Sequence, residues 1–138
     1  MYAHIMVPVD LAHEDKLTRS LKCAADLAQH WNARVTYVGV TSPLPGKLGH
    51  NPKEYSERLS RFAAAQGELH GIEASGHAAI SHDPSIDLDK TLLGAIEETG
   101  ADLVVMETHI PNITDYVWAS HGETVAGHTD VSILLVRG

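Results

Sequence analysis

The sequence contains little cysteine and no long apolar segment. Its 138 residues include a single cysteine, Cys23, which cannot form a disulfide within the chain and is typical of a reducing compartment. No apolar run approaches the roughly 18 residues that a membrane-spanning helix requires. The apolar start at Met1–Val9 also lacks the basic lead of a signal peptide. These absences predict a cytoplasmic protein without a membrane span.

Basic side chains are scarce as well. The chain has 18 acidic residues against 10 lysines and arginines, and its formal net charge is -8. Because phosphate backbones are bound through patches of lysine and arginine, we expect no nucleic-acid or anionic-membrane partner. The length and an apolar content of 43% predict a single compact domain that spans residues 1–138.

Two common catalytic motifs and the spacing of a zinc site are missing. There is no Gly-x-Ser-x-Gly elbow of a serine hydrolase and no Gly-x-x-x-x-Gly-Lys-Ser/Thr loop of a P-loop NTPase. The 10 histidines lack the i, i+4 or Cys/His spacing of zinc ligands. No catalytic nucleophile is predicted, so a binding protein is favoured over an enzyme.

What the sequence does contain is a regular alternation of strand-like runs and helical segments. Helix starts and stops are indicated at Asn32, Asn51–Pro52, Asp83–Pro84, Gly100 and Ser120-x-x-Glu123. The predicted strands are Ile5–Val9, Arg34–Val40, Ala74–Ser81, Leu103–Met106 and Ser132–Val136. We expect the third of them to lie at an edge, because Gly76 and His77 interrupt it. The alternation predicts an α/β fold with a parallel sheet and helices on both faces.

The apolar run Leu103–Met106 predicts a central strand, since parallel strands that are covered on both faces lack alternation. In open α/β sheets, ligands bind beyond the carboxyl ends of the strands, where the strand order reverses. Asp10, which follows the first strand, and the loop 107–120 are therefore the predicted walls of a small-molecule crevice. The segment Thr41–Asn51, with two prolines and two glycines, is a candidate lid.

Three residues of this crevice have more than one interpretation. Asp10 could accept ribose hydroxyls or hold Mg²⁺, or it could simply cap a helix. Ser120 opens a helix whose free amides attract anions, but a capping box explains it without a ligand. Glu107 would repel a phosphate unless a divalent cation lay between them. Asp10 and Glu107 are thus the predicted ligands of Mg²⁺ in the presence of nucleotide.

Val7–Asp10, Ala101–Met106 with the following Thr108–His109, and the tail Val125–Arg137 resemble the universal stress protein family over nearly the whole chain. The resemblance implies a stress-response role and a Rossmann-like, adenine nucleotide alpha hydrolase-like three-layer sandwich. It also implies a five-stranded parallel sheet of order 3-2-1-4-5 and a homodimer formed through the last strand.

The same resemblance assigns a nucleotide site. In members that bind nucleotide, adenine and ribose lie against residues that match Pro8, Val9, Asp10, Val40 and Met106. The phosphates lie near residues that match Thr108, Ser120 and His121. Taken alone, Pro8, Val40 and Met106 are equally well explained as core residues.

The loop after the fourth strand departs from the family pattern Gly-x2-Gly-x9-Gly-Ser/Thr. Glu107, Ile110 and Ala119 stand where glycines would let backbone amides approach phosphates, and Ser120 alone is retained. We therefore expect a dimeric binding or regulatory protein that takes ATP or AMP weakly. One alternative is a dimer that acts through protein contacts, with the crevice filled by Glu107, Trp118 or the Thr41–Asn51 loop. The other is a slow Mg²⁺-dependent ATPase or self-phosphorylating protein with Ser120 as acceptor.

Overall fold

The computed structural model describes residues 1–43, 51–108 and 122–137. These residues form five strands, four α-helices and one short 3-10 helix at Leu11–Lys16. The strands are β1 (His4–Pro8), β2 (Arg34–Thr41), β3 (Ala74–Ile80), β4 (Leu103–Thr108) and β5 (Ser132–Arg137). The helices are α1 (Thr18–Trp31), α2 (Pro52–His70), α3 (Pro84–Thr99) and α4 (Gly122–Ala126). None of the helices in these ranges is long and apolar enough to cross a membrane.

All five strands lie parallel in one sheet of order β3-β2-β1-β4-β5. The chain runs outward from β1 through β2 to β3, then crosses back to β4 and continues to β5. The strand order therefore reverses between β1 and β4. This topology confirms the predicted Rossmann-like α/β fold with sheet order 3-2-1-4-5.

Burial follows the position of each strand in the sheet. Every residue of β1 is buried, and Val104, Val105 and Met106 of β4 are at most 1% exposed. The unbroken apolar run does mark a central strand. β3 lies at an edge, as its interrupted pattern predicts, and β5 forms the opposite edge with an alternating pattern of burial.

Capping residues fix both ends of α2 and the end of α1. The Asn51 side chain accepts a hydrogen bond from the Glu54 amide at 2.9 Å, and Pro52 takes the first position of α2. Asn32 and Gly71 end α1 and α2 in the left-handed conformation. These local signals confirm the predicted end of α1 at Asn32 and the predicted start of α2 at Asn51–Pro52.

Two local features differ from the prediction. The polar residues His13–Glu14–Asp15 predict the first turn of the first α-helix, but they belong to the 3-10 helix Leu11–Lys16, which the Asp10 carboxylate caps. β4 continues through Glu107 and Thr108, beyond the predicted end at Met106, because these two residues pair with Val136 and Arg137 of β5.

Asp102 joins the two central strands at their amino ends. Its carboxylate accepts hydrogen bonds from the amides of Ala3 and His4, both at 3.0 Å. Its own amide donates to the carbonyl of His4 at 2.9 Å. The start of β4 is thereby fixed against the start of β1.

Tyr37 of β2 places a phenol in the core. Its side chain is fully buried and meets the ring of Phe62 from α2 edge to face, with ring centroids 5.4 Å apart. The hydroxyl has no hydrogen-bond partner among the described residues. Burial raises the pKa of Tyr37 to about 12, so the phenol stays protonated.

We expect Tyr37→Phe to leave the free energy of unfolding unchanged or to raise it by up to about 1 kcal/mol, because the variant removes a buried, unbonded hydroxyl. Urea denaturation at neutral pH measures the change. Leu59→Ala, at an equally buried position, serves as the reference and should cost about 2–5 kcal/mol. A loss above about 1 kcal/mol in Tyr37→Phe would contradict the prediction and reveal a partner for the hydroxyl.

Candidate functional site

The carboxyl ends of β1 and β4 separate at the point where the strand order reverses. Their pairing begins with Ile5 opposite Leu103 and ends with Met6 opposite Val104, although both strands continue beyond these residues. On the other side of β1, pairing with β2 continues to Pro8 opposite Val38. The pairing of β1 with β4 therefore ends before either strand does, at the centre of the sheet, where ligands bind in folds of this class.

Pro8 gives a local reason for the early end of the pairing between β1 and β4. Proline has no backbone N–H, so β1 loses a donor at this residue. The next amide, that of Val9, donates to the carbonyl of Val38 at 2.8 Å and thus turns toward β2. Among the described residues, the end of β1 pairs with β2 and not with β4.

Six of the eight predicted nucleotide-binding residues lie in the described part of the chain, at or next to the carboxyl ends of β1, β2 and β4. They are Pro8, Val9, Asp10, Val40, Met106 and Thr108. Ser120 and His121 lie outside the described residues, as do Ile110, Trp118 and Ala119.

The apolar members of this set belong mainly to the core. Pro8 and Val9 are buried, and Met106 is 1% exposed. Val40 is half-buried and packs against the core from the end of β2. The core interpretation therefore holds for these side chains, and Val40 is the one with the larger accessible surface.

Asp10 lies directly beyond β1 and is half-buried. Its Oδ1 accepts a hydrogen bond from the Ala12 amide at 3.0 Å and caps the 3-10 helix. The capping role of Asp10 is thus observed. A carboxylate offers about four acceptor positions, so this bond is compatible with a further role toward ribose hydroxyls.

Glu107 lies against the first turn of α1. It is 5% exposed, and neither carboxyl oxygen has a hydrogen-bond partner of ordinary geometry among the described residues. Burial raises the pKa of Glu107, while the nearby Ser20 and the charge of Arg19 act in the opposite direction. Because burial dominates, the carboxyl favours its neutral form more than an exposed glutamate does.

The proposed Mg²⁺ ligands lie on neighbouring strand ends. Asp10 follows β1, and Glu107 lies near the end of β4. The described residues contain no group of three or more histidine, cysteine, aspartate or glutamate side chains that could hold a metal ion. The assignment of Asp10 and Glu107 to Mg²⁺ stays a prediction that requires the nucleotide to supply further ligands.

Residues 1–137 match the family model described as the Universal stress protein family. The chain belongs to the Universal stress protein family. It is 26% identical to universal stress protein G of Shigella flexneri and 25% identical to the Salmonella typhimurium protein of that name. Both alignments cover 99% of this chain and 100% of the relative. Membership places this universal stress protein among proteins with a stress-response role.

Solved structures of the family share the fold. A universal stress protein family member from Burkholderia pseudomallei gives a TM-score of 0.69 at 22% identity, covering 98% of this chain and 96% of that one. A universal stress protein in complex with cAMP gives 0.70 at 18% identity, covering 98% and 97%. The Archaeoglobus fulgidus protein in complex with dAMP gives 0.63 at 20% identity, covering 97% of both chains. At these identities the likeness establishes the fold alone.

Tyr55 of α2 is a buried neighbour of this site that the sequence analysis does not single out. Its ring lies over Gly39 of β2, next to the end of β1. A glycine in a strand rich in β-branched residues indicates that another group approaches the backbone closely. In β2 that glycine is Gly39, and the group is the Tyr55 ring.

We expect this protein to lose stability relative to a Glu107→Gln variant as the pH rises. The folded-state pKa of Glu107 is raised above the ordinary value of 4.5, so the folded state holds this proton more tightly than the unfolded chain. The resulting stabilisation is complete below the unfolded pKa and is lost as the pH rises through the folded pKa. Urea midpoints of both proteins, measured from about pH 4 to about pH 8, give the difference in stability between them at each pH.

Glu97→Gln is the matched control, because Glu97 is an exposed glutamate on α3. Its stability curve should run parallel to that of the unmodified protein. A parallel curve for Glu107→Gln as well would contradict the prediction, because the buried carboxyl would then ionise like an exposed one.

Proposed function

We propose that this universal stress protein is a binding or regulatory protein that takes an adenine nucleotide between the carboxyl ends of β1 and β4. The observation that carries the proposal is the early end of β1–β4 pairing at Met6 and Val104, which falls at the reversal of strand order. The complexes of proteins of the same fold with cAMP and dAMP support this class of ligand.

Each part of the nucleotide has a proposed contact. Asp10 accepts hydrogen bonds from the ribose hydroxyls, as carboxylates at strand ends do in other doubly wound sheets. Pro8, Val9, Val40 and Met106 are assigned to the adenine ring from the sequence, and of these Val40 is the side chain with the larger accessible surface. Thr108, at the end of β4, is proposed to contact phosphate together with Ser120 and His121, which are assigned from the sequence.

The proposed ligand carries few phosphates. Glu107 replaces a glycine of the family loop, and the formal net charge of -8 adds unfavourable electrostatics for a polyanion. The ligands named for the two solved complexes, cAMP and dAMP, are monophosphates. We therefore propose that AMP-like ligands bind better than ATP without Mg²⁺, and that ATP benefits from the cation.

We also propose a cytoplasmic homodimer formed through β5. This strand lies at the edge of the sheet, and no further strand pairs with it in the ranges that the structure covers. Leu134 on β5 is 38% exposed, and its neighbours Ile133 and Leu135 are half-buried. Unpaired backbone groups beside apolar side chains favour association with a second strand.

We expect Asp10→Asn to weaken AMP binding by about 10-fold or more, because it removes a charged acceptor from the ribose hydroxyls. Asparagine is as good a cap as aspartate, so the 3-10 helix should be retained. Calorimetric titration with AMP and ATP, each with and without Mg²⁺, measures the effect. Asp26→Asn is the control, since Asp26 is an exposed carboxylate on α1 that pairs with Lys22.

Three outcomes of this titration, combined with an assay of phosphate release from ATP, would redirect the proposal. The absence of heat at millimolar nucleotide would favour the alternative of a dimer that acts through protein contacts. Binding that requires Mg²⁺, with phosphate release lost in Asp10→Asn, would favour the ATPase or self-phosphorylating alternative. Phosphate release that survives both Asp10→Asn and Glu107→Gln would exclude the Mg²⁺ site.

We expect Leu134→Lys to convert the dimer to a monomer, because it places a charge at the apolar edge of β5. Sedimentation velocity of both proteins measures the shift in mass. Leu69→Lys is the control, because Leu69 on α2 is 73% exposed but lies away from β5. A monomeric unmodified protein, or an equal effect of the two variants, would refute the proposed interface.

A further inference from the structure

His4 of β1 is a buried histidine at the amino end of the central strands. It is 6% exposed, and its Nε2 atom lies 2.6 Å from Oγ1 of Thr36 on β2. Its Nδ1 atom is buried and has no hydrogen-bond partner of ordinary geometry among the described residues. In this part of the chain the imidazole is therefore held through one nitrogen.

The hydrogen bond of His4 continues across the sheet to an exposed hydroxyl. Oγ1 of Thr36 lies 3.2 Å from Oγ of Ser75 on β3, and these two residues are partners in the register of the strands. Thr36 is 6% exposed, whereas Ser75 is exposed. A hydroxyl can both donate and accept, so the bonds from His4 to Ser75 can run in either direction. Two hydroxyls thus connect the buried ring to the surface.

The Ser75 end of this chain of hydrogen bonds opens into a cavity of about 350 Å³ at the amino ends of β1, β2 and β3. The charged residues Arg34 and Glu73 also line the cavity. His77 is a further lining residue, and its Nε2 atom lies 2.9 Å from Oε2 of Glu98 on α3. Because Ser75 is exposed, a proton from solvent can reach the outer end of the chain.

The backbone of His4 also links β1 to β4. Its amide donates to Oδ1 of Asp102 at 3.0 Å, and the Asp102 amide donates to the His4 carbonyl at 2.9 Å. Burial acts to raise the pKa of Asp102, but the hydrogen bonds from the amides of Ala3 and His4 outweigh burial and lower that pKa. The Asp102 carboxylate therefore stays charged where a histidine titrates. Within this link, His4 is the group that changes charge near neutral pH.

We infer that His4 is an acid-sensing residue, which receives a proton through the hydroxyls of Ser75 and Thr36 and, once charged, weakens the link between β1 and β4. The inference does not depend on nucleotide binding. In the neutral ring, Nδ1 carries the proton and Nε2 accepts from Thr36. A hydronium ion in the cavity donates to Ser75 as the Ser75 proton passes to Thr36 and the Thr36 proton passes to Nε2. Each hydroxyl loses one proton and gains one, one N–H bond forms, and one water is released.

A charged imidazole is unfavourable at this position. Burial and then the positive charge of Arg34 lower the pKa of His4, while Asp102, the Thr99 backbone and Glu73 act in the opposite direction. The folded-state pKa lies below the ordinary value of 6.5, so the unfolded chain binds the proton first. The stabilisation by neutral His4 is present above the unfolded pKa. It is lost as the pH falls from there through the folded pKa.

The first test is an NMR titration of the histidine rings in the intact protein from about pH 8 to about pH 4.5. We expect His4 to titrate below His30, an exposed histidine on α1. The side-chain signals of Thr36 and Ser75 should shift with the midpoint of His4, because their hydrogen bonds reverse when the ring gains its proton. A His4 midpoint equal to that of His30, or no shift of Ser75 with the His4 midpoint, overturns the inference.

The second test removes the hydroxyls one at a time. We expect Ser75→Ala to lower the His4 midpoint by about 0.5–1 pH unit, because the Thr36 hydroxyl then loses the acceptor that it needs when His4 is charged. Thr36→Val should lower the midpoint at least as much, and Thr36→Ser, which keeps a hydroxyl, should restore it. Ser60→Ala, at an exposed position on α2, is the matched control and should leave it unchanged. An unchanged midpoint in Ser75→Ala overturns the proposed proton path.

Hydrogen exchange of the Asp102 amide tests the effect on the link between β1 and β4, because this amide donates to the His4 carbonyl. Between about pH 7.5 and about pH 5, the ratio of its protection factor in the unmodified protein to that in His4→Gln should fall by about 3-fold or more. The same ratio taken against His30→Gln, the matched control, should stay constant.

A constant ratio against His4→Gln would overturn the inference, because the charge of His4 would then have no effect on the link. If circular dichroism shows that His4→Gln does not fold, the unmodified protein decides. A protection factor of the Asp102 amide that does not fall over the same pH range then overturns the inference.

Discussion

The hydrogen bonds between Asp102 and the start of β1 hold the two central strands together at their amino ends. The carboxylate binds the amides of Ala3 and His4, and the Asp102 amide binds the His4 carbonyl. Toward the other end of the strands, pairing stops after Met6 and Val104. The candidate site lies where the same two strands, joined by hydrogen bonds at their amino ends, are no longer paired.

Most of the fold was predictable because its signals are local. Asn51–Pro52 starts α2 and Asn32 ends α1 through short-range hydrogen bonds and left-handed geometry, and these preferences are visible in the sequence. The 3-10 helix Leu11–Lys16 was missed because its acidic residues suit the first turn of either kind of helix. The extension of β4 to Thr108 depends on β5, a partner distant in sequence.

The candidate site was predictable in position but not in detail. An apolar strand that ends in polar residues identifies the carboxyl edge of the sheet, and Asp10 and Thr108 do lie there. The direction of the Glu107 side chain was not visible, because it depends on the placement of β4 beneath the first turn of α1. Tyr55 was missed because helical spacing identifies a buried face but not the strand residue that it meets.

The link between β1 and β4 also has a consequence for how the chain folds. His4 and Asp102 are 98 residues apart, so β1 gains its second neighbour only after three helices and two strands have formed or been passed over. Contacts of such long range are costly in loop-closure entropy, and folds that depend on them reach the native state slowly. Until β4 pairs with it, the largely apolar strand β1 has an unpaired edge that can associate with other chains. Because the candidate site lies between β1 and β4, it forms only when these two strands pair, which is a late event in folding.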